Sequence, residues 1–141
     1  MKINLIFFLS RFGIGGAGNS IFRLCKGLPK KKFNISIICL KNCSFDKEFK
    51  KIGIKVYKIK SNKTFFAMSK VLNITKSLIS NKYKKNIFIS NIHYTNVLSL
   101  IFIRNLDNLK IVLVLSLYLF LKCLLIFAEL QTIASDKLYN K

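Results

Sequence analysis

Apolar residues along the chain form short continuous runs that alternate with stretches of helical spacing. The run Ile3–Leu9 is almost uniformly apolar, as expected for a central parallel strand covered on both faces. Strand-like runs cover residues 3–9, 33–40, 54–59, 87–90 and 110–114, and helical spacing covers residues 21–28, 46–52, 65–79 and 97–103. Strands that alternate with helices in this way predict an α/β domain with a Rossmann-like, mostly parallel sheet of about five strands. Residues 54–59 alternate apolar side chains with lysines, which places that strand nearer an edge of the sheet.

A glycine-rich stretch, residues 12–20, separates the first predicted strand from the first predicted helix. Glycine has no Cβ, so its backbone can turn sharply and approach a phosphate closely. The N-terminus of the following helix directs free N–H groups and a positive dipole end at the same loop. The stretch therefore predicts an anion-binding turn, with Asn19 or Ser20 as the cap of the helix.

Residues 13–18 also satisfy the pattern G-x-G-x-x-G of dinucleotide-binding folds. Two features disfavour that interpretation: residues 10–12 separate the strand from the first glycine, and no acidic residue stands at the end of the second strand to bind ribose hydroxyls. An NADP-type site that uses Lys41 remains an alternative. A P-loop is excluded because no Gly-Lys-Ser/Thr follows the glycines, and a G-x-S-x-G nucleophile elbow is absent.

A second polar group follows the fourth predicted strand, at the edge where open α/β sheets bind ligands. We interpret residues 91–96 as a loop in which His93, Tyr94, Thr95 and Asn96 offer ring nitrogen, hydroxyl and amide groups suited to sugar hydroxyls. In the alternative interpretation the loop binds nothing, and Thr95 or Asn96 caps the next helix.

The charge and the cysteine content bear on two classes of function, nucleic-acid binding and metal binding. The formal net charge is +20, but nearly all of it comes from lysine, whereas specific nucleic-acid recognition relies on arginine forks. We therefore expect no specific nucleic-acid partner, although lysines would attract an anionic membrane. The four cysteines include no CxxC pair, and His93 is the only histidine, so no metal site is expected. Cys25 and Cys39 fall on predicted apolar faces, which suits buried thiols in a reducing cytosol.

The end of the sequence departs from this pattern. Residues 115–130 are apolar almost without interruption, with one interior charge at Lys122. Three interpretations remain open: a packed or interfacial helix, a membrane span, and the tail of a truncated or frameshifted gene. We therefore divide the chain into an incomplete Rossmann-like domain, residues 1–114, and an apolar segment with a polar tail, residues 115–141.

Two segments together resemble family 4 glycosyltransferases of the GT-B fold. The first runs from the initial strand through a long loop and Gly15-Gly16-Ala17 to a helix ending at residues 24–28 and a strand at 35–40. The second, residues 89–96 with the following helix and the strand 110–114, is similar to a later part of the same N-terminal domain. The resemblance covers about residues 1–114.

The resemblance implies the acceptor-side half of an enzyme that transfers a sugar from a nucleotide sugar to a cell-surface polysaccharide or glycolipid precursor. The family's motifs, carried over, make Gly15, Gly16 and Ala17 the loop on the donor's diphosphate side, Arg11 an anion contact, and His93, Tyr94 and Asn96 part of the acceptor cleft. The resemblance implies no catalytic residue in this chain. It implies no cofactor either, because the nucleotide sugar is a substrate.

The chain departs from the family in having no second Rossmann-like domain and no E-x7-E signature. Because that domain holds the nucleotide sugar in the family, we expect a truncated domain that does not transfer sugar by itself. It would be cytoplasmic, at the inner face of the membrane. The alternatives are a non-catalytic, membrane-associated remnant and an NAD(P)-binding module.

Overall fold

The structure, a computed structural model, describes residues 1–10, 16–41, 43–91 and 93–114, apart from the side chains of Ala17 and His93. The elements in chain order are β1 (Ile3–Leu9), α1 (Gly16–Gly27), β2 (Phe33–Cys39), α2 (Asp46–Lys51), β3 (Lys55–Lys58), α3 (Thr64–Leu78), β4 (Lys85–Asn91), α4 (His93–Phe102) and β5 (Leu109–Val114). Strands and helices alternate along the described chain, as the hydrophobic pattern predicted.

The five strands form one parallel sheet in the order β3-β2-β1-β4-β5. β1 lies at the centre, where Phe7 stands in register with Ile37 of β2 and Ile89 of β4. β3 is at an edge, as the alternating lysines of residues 54–59 predicted. The predicted α/β class with a Rossmann-like parallel sheet is confirmed.

Alternate residues of β1 point to opposite faces of the sheet, so the strand contributes to two cores. Phe7 and Leu9 pack with the buried side of α1 and with Phe49 of α2. Ile6 and Phe8 pack with α3 and α4 on the other face. All seven residues of β1 are buried, which explains why its sequence is a nearly continuous apolar run.

Helix α1 begins earlier than its apolar spacing predicted. It starts at Gly16, so Asn19 and Ser20 lie inside the helix and the prediction that either one caps it is wrong. Gly18 is buried in the first turn, where the packing of the helix outweighs the low helical propensity of glycine. The predicted end is confirmed, because α1 finishes at Gly27, before Pro29.

Helix α4 also begins earlier than predicted. It starts at His93, so residues 93–96 are its first turn and the predicted loop is wrong. Thr95 and Asn96 are not caps either, because both lie within the helix. The Thr95 hydroxyl donates to the carbonyl oxygen of Asn91, and Ser99 donates to the carbonyl oxygen of Thr95 at 2.6 Å. These polar side chains bond back to the backbone four residues earlier and are therefore accommodated within a helix.

Strand β5 is described as far as Val114. Residues 115–141 lie outside the described residues, as do the three interpretations of that segment. Within the part of the chain that the structure describes, no helix has the length and apolar character needed to cross a membrane.

Candidate functional site

The strand order creates a crevice at the carboxyl edge of the sheet, between β1 and β4. From β1 the chain proceeds to β2 on one side, whereas from β4 it proceeds to β5 on the other. The connections after these two neighbouring strands therefore diverge, and open α/β sheets bind ligands at such a topological switch point. Ser10 directly follows β1 at this point, and Asn91 is the last residue of β4.

Two helices begin at the crevice, one on each face of the sheet. α1 packs on the face that holds Phe7 and α4 on the face that holds Phe8. Each helix start leaves backbone N–H groups without intrahelical acceptors and carries the positive end of the helix dipole. Neither helix has an acidic residue in its first turn. The crevice is thus suited to an anionic or hydroxyl-rich ligand.

The glycine side of the predicted site is described only in part. Gly16 is the first residue of α1 and is exposed, and a Cβ placed on it would meet nothing within 4 Å. Ala17 follows it in the helix, although its side chain is outside the description. Arg11 and Gly15, the other predicted residues, also lie outside the described residues.

The histidine side of the predicted site is the first turn of α4. His93 begins the helix, so its backbone lies beside the crevice, while its side chain is not among those described. Tyr94 is 55% exposed and available to a ligand. The first turns of α1 and α4 thus bring the predicted residues Gly16, Ala17, His93, Tyr94 and Asn96 to the same edge of the sheet.

Asn96 was predicted to line the acceptor cleft, but its side chain is buried between α4 and the end of β5. It is 3% exposed, and its Nδ2 donates to the carbonyl oxygen of Val114 at 3.0 Å. Its Oδ1 has no hydrogen-bond partner among the described residues, and neither has Oγ of the buried Ser90. Asn96 therefore ties α4 to the end of β5 and keeps one buried acceptor for a further donor.

A cavity of about 270 Å³ lies beside the crevice, at the carboxyl ends of β1 and β2. Its lining residues are Ser10, Leu40, Lys41, Ser61, Asn62 and Thr64. Sequence reasoning considered only Lys41 among them. A usable signal was present in the polar residues 61–63, which stand between β3 and α3, and in Thr64, which begins α3: such a connection forms part of the carboxyl edge of the sheet. The cavity offers hydroxyl and amide groups beside a single cation.

A larger cavity of about 470 Å³ lies at the opposite edge, near the amino ends of β4 and β5. Its lining includes Lys84, Lys85 and Lys110. It is a basic surface, but it lies away from the switch point. None of the four described helices begins there, because α1–α4 each follow their strand at the other edge of the parallel sheet.

The described carboxylates lie elsewhere: Asp46 and Glu48 belong to α2, and Asp107 precedes β5. Asp46 accepts ion pairs from Lys58 at 2.8 Å and Lys50 at 3.2 Å. The hydrogen bond from Lys58, followed by the one from Lys50, holds the pKa of Asp46 below its ordinary value. No group of three or more metal-ligating side chains occurs among the residues described.

Comparison of the chain with protein-family models, with curated proteins and with solved structures finds no match. The class that the fold itself defines is an α/β domain with a Rossmann-like parallel sheet.

Proposed function

We propose that this chain is the acceptor-side N-terminal domain of a family 4 glycosyltransferase. Its partners are the diphosphate of a nucleotide-sugar donor and a glycan or glycolipid acceptor used in cell-surface assembly. Sugar transfer itself is ascribed to a second domain that holds the nucleotide sugar. This assignment carries with it a cytoplasmic location beside the membrane that supplies the acceptor.

The observation that carries the proposal is the pair of helix N-termini at the switch crevice. α1 begins with Gly16, whose open surroundings leave its backbone accessible to a phosphate. α4 begins two residues after β4, on the other side of the same crevice, and carries the exposed Tyr94 in its first turn. A diphosphate is favoured by the first helix end, and sugar hydroxyls are favoured by the polar turn of the second.

Residue-resolved NMR tests this proposal directly. The ¹⁵N-labelled protein is titrated with inorganic pyrophosphate, with uridine and guanosine diphosphate sugars, and with a soluble oligosaccharide. We expect the diphosphates to shift the amide signals of Gly16 and Ala17, and the oligosaccharide to shift those of Tyr94 and its neighbours. NADP serves as a comparison ligand.

Two outcomes contradict the proposal. Shifts confined to the lysines at the amino edge, such as Lys84 and Lys110, would show that diphosphates bind only as counterions. Saturable binding of NADP with shifts at Lys41, and no response to sugar diphosphates, would favour the dinucleotide alternative, because the cavity beside Lys41 would then hold a 2′-phosphate.

A second candidate function is non-catalytic attachment to an anionic membrane. The observation that favours it is a set of exposed large apolar side chains on the surface of α3 and α4: Phe65, Phe66, Tyr94, Val97, Leu100 and Ile101. Phe66 is 71% exposed, and Nζ of Lys63 lies 5.7 Å from the centre of its ring. Aromatic side chains beside lysines suit the headgroup region of a membrane with negative lipids.

Vesicle co-sedimentation tests the second candidate. We expect binding to vesicles that contain phosphatidylglycerol and much weaker binding to pure phosphatidylcholine. The double substitution Phe65→Ser and Phe66→Ser should reduce binding without unfolding the domain, because both side chains are more than half exposed. Equal binding by the variant would remove this surface from the interaction, and a version lacking residues 115–141 would then show whether the apolar segment is responsible.

A further inference from the structure

Helix α4 is oriented in the opposite way from an ordinary surface helix. Three of the four buried side chains that the structure describes on it are polar, and each is at most 3% exposed: Thr95, Asn96 and Ser99. Its exposed side chains are all large and hydrophobic: Tyr94, Val97, Leu100 and Ile101. A helix that packs on a sheet normally turns its apolar side to the core and its polar side to water. The apolar side of α4 is thus left for another surface to cover.

Hydrogen bonds on the buried side hold α4 in this orientation. Nδ2 of Asn96 donates to the carbonyl oxygen of Val114 at 3.0 Å and so ties the helix to β5. The hydroxyl of Ser99 donates to the carbonyl oxygen of Thr95 at 2.6 Å, and the hydroxyl of Thr95 donates to that of Asn91. Rolling the helix to bury its apolar side would break the bond to β5 and leave a polar group without its partner. The exposed apolar side is therefore fixed by the fold.

The exposed hydrophobic residues of α4 form one stripe along the helix. We call residues 94, 97, 100 and 101 the α4 stripe. Successive residues of an α-helix are about 100° apart, so these four positions lie within roughly a third of its circumference. Residues three and four apart are also neighbours on a helix surface. The α4 stripe is thus a continuous packing surface of the width that a helix presents to a second element.

The α4 stripe lies on the only described helix that has no charged residue. Helix α1 carries Arg23 and Lys26, α3 carries Lys70 and Lys76, and α2 consists mostly of charged residues. Residues 93–102 contain no Asp, Glu, Lys or Arg. This is a marked exception in a chain whose formal net charge is +20. The helix that exposes an apolar stripe is therefore also the one where two positively charged molecules repel each other least.

This absence of charge favours a second copy of the chain as the partner. Anionic lipids and acidic proteins are attracted by lysines, and the aromatic side chain with a lysine beside it is Phe66 of α3, next to Lys63. Helix α4 offers such partners no cation. Two copies of this chain, in contrast, can pack closely only where neither presents a lysine. A two-fold interface places the same patch against itself, and an uncharged apolar stripe is complementary to itself.

We propose that the α4 stripes of two copies pack against each other and form a two-fold symmetric dimer. The contact removes Val97, Leu100 and Ile101 from water, and this burial of apolar surface drives the association. One helix of 10 residues offers less than the roughly 800 Å² per partner of a standard stable interface. The dimer is therefore weak, and it forms in the micromolar range of protein concentration.

Sedimentation equilibrium of the full chain tests the inference. We expect a monomer–dimer equilibrium whose dissociation constant falls when NaCl is raised from about 0.05 to 0.5 M, because salt screens the repulsion between the two copies. Dilution of the ¹⁵N-labelled protein over the same concentrations should shift the amide signals of Val97, Leu100 and Ile101 more than those of residues outside the stripe.

Matched substitutions locate the contact. Ile101→Lys places like charges opposite each other in the interface and should weaken the dimer by about ten-fold or more. Asn73→Lys adds the same charge at an exposed position of α3 and should leave the dissociation constant nearly unchanged. Ile101→Leu keeps the stripe apolar and should retain the dimer. Both positions are exposed, so circular dichroism should show that all three variants are folded.

Three results would overturn the inference. The first is a chain that stays monomeric throughout the micromolar range. The second is a dimer that Ile101→Lys leaves intact, which would place the contact elsewhere in the chain. The third is a dimer that added salt dissociates, which would show that opposite charges hold it. If Ile101→Lys abolished binding to phosphatidylglycerol vesicles and the wild type did not dimerise, the α4 stripe would be assigned to a lipid surface instead.

Discussion

Nδ2 of Asn4 donates a hydrogen bond to Oδ1 of Asn86 at 2.9 Å, across the two central strands, and both residues are buried. Asn4 also donates to the carbonyl oxygen of Leu78, the last residue of α3, at 2.9 Å. On its other side it accepts from Nδ2 of Asn34 at 2.8 Å. The three asparagines stand in register on β2, β1 and β4, so they form a polar row within an apolar sheet.

Replacing Asn4 with leucine should destabilise the domain by roughly 2–3 kcal/mol, because the substitution leaves buried polar groups without partners. The carbonyl oxygen at the end of α3 loses its donor, and Asn34 loses its acceptor. Urea unfolding followed by circular dichroism measures the change. Asn34→Ala is the matched control: this residue is only partly buried and donates one bond to the row, so it should cost about 1 kcal/mol. Equal effects would show that the row does not depend on its central member.

Gly53 and Gly27 should respond oppositely to alanine. Gly53 has a φ of +75° after α2, a conformation that costs an L-residue about 1 kcal/mol or more. Gly27 ends α1 without a positive φ, and a Cβ there meets nothing within 4 Å. Gly53→Ala should therefore lower the free energy of unfolding, and Gly27→Ala should raise it by about 0.5–1 kcal/mol. Thermal unfolding of the two variants and the wild type measures these changes. A change of the same sign in both variants would contradict the prediction.

The ion pairs of Asp46 should make stability depend on pH in the acid range. Lys58 and Lys50 lower the pKa of Asp46 in the folded state. A lowered carboxyl pKa gives a contribution that is complete above the unfolded value, near pH 4, and that is lost as the pH falls through the folded value. Asp46→Asn should thus be less stable than the wild type at pH 7, and the difference should vanish in stronger acid.

The control for this measurement is Glu48→Gln, a neighbouring carboxylate on α2 that makes neither of these ion pairs. Its stability should follow the wild type across the same pH range. Because the lysines reach solvent, added salt should shrink the effect of Asp46→Asn. A difference that persists unchanged at low pH would show that the asparagine acts through packing and not through charge.

Gly16 allows ligand binding to be separated from folding. A carboxylate at the start of α1 is favourable for the helix dipole, and the open space around Gly16 accepts a side chain. Gly16→Asp should therefore fold at least as stably as the wild type yet lose its response to pyrophosphate, because the new charge repels the anion. Gly16→Ala should retain binding. Calorimetric titration measures the affinity for pyrophosphate, and thermal unfolding measures the stability of each variant. Undiminished pyrophosphate binding by Gly16→Asp would show that the anion binds elsewhere.

The local pattern was sufficient to predict the type and order of the strands and helices. Apolar runs and helical spacing are properties of neighbouring residues, so β1 was predicted with its observed bounds and α3 to within one residue at each end. The predicted edge position of β3 followed from its lysines for the same reason. The predicted starts of α1 and α4 were wrong because Gly16 and residues 93–96 have weak helical propensity. Packing against the sheet extends both helices over these residues.

The tertiary structure alone decided which parts of the chain meet. No local signal places β4 beside β1, yet that order creates the crevice and brings the first turns of α1 and α4 to one edge. The polar row through Asn4 also depends on the register of β1 with β2 and β4. The sequence by itself determined the alternation of strands and helices, because burial sets a period along each element. The pairing of strands required the whole chain, because it depends on contacts between residues far apart in sequence.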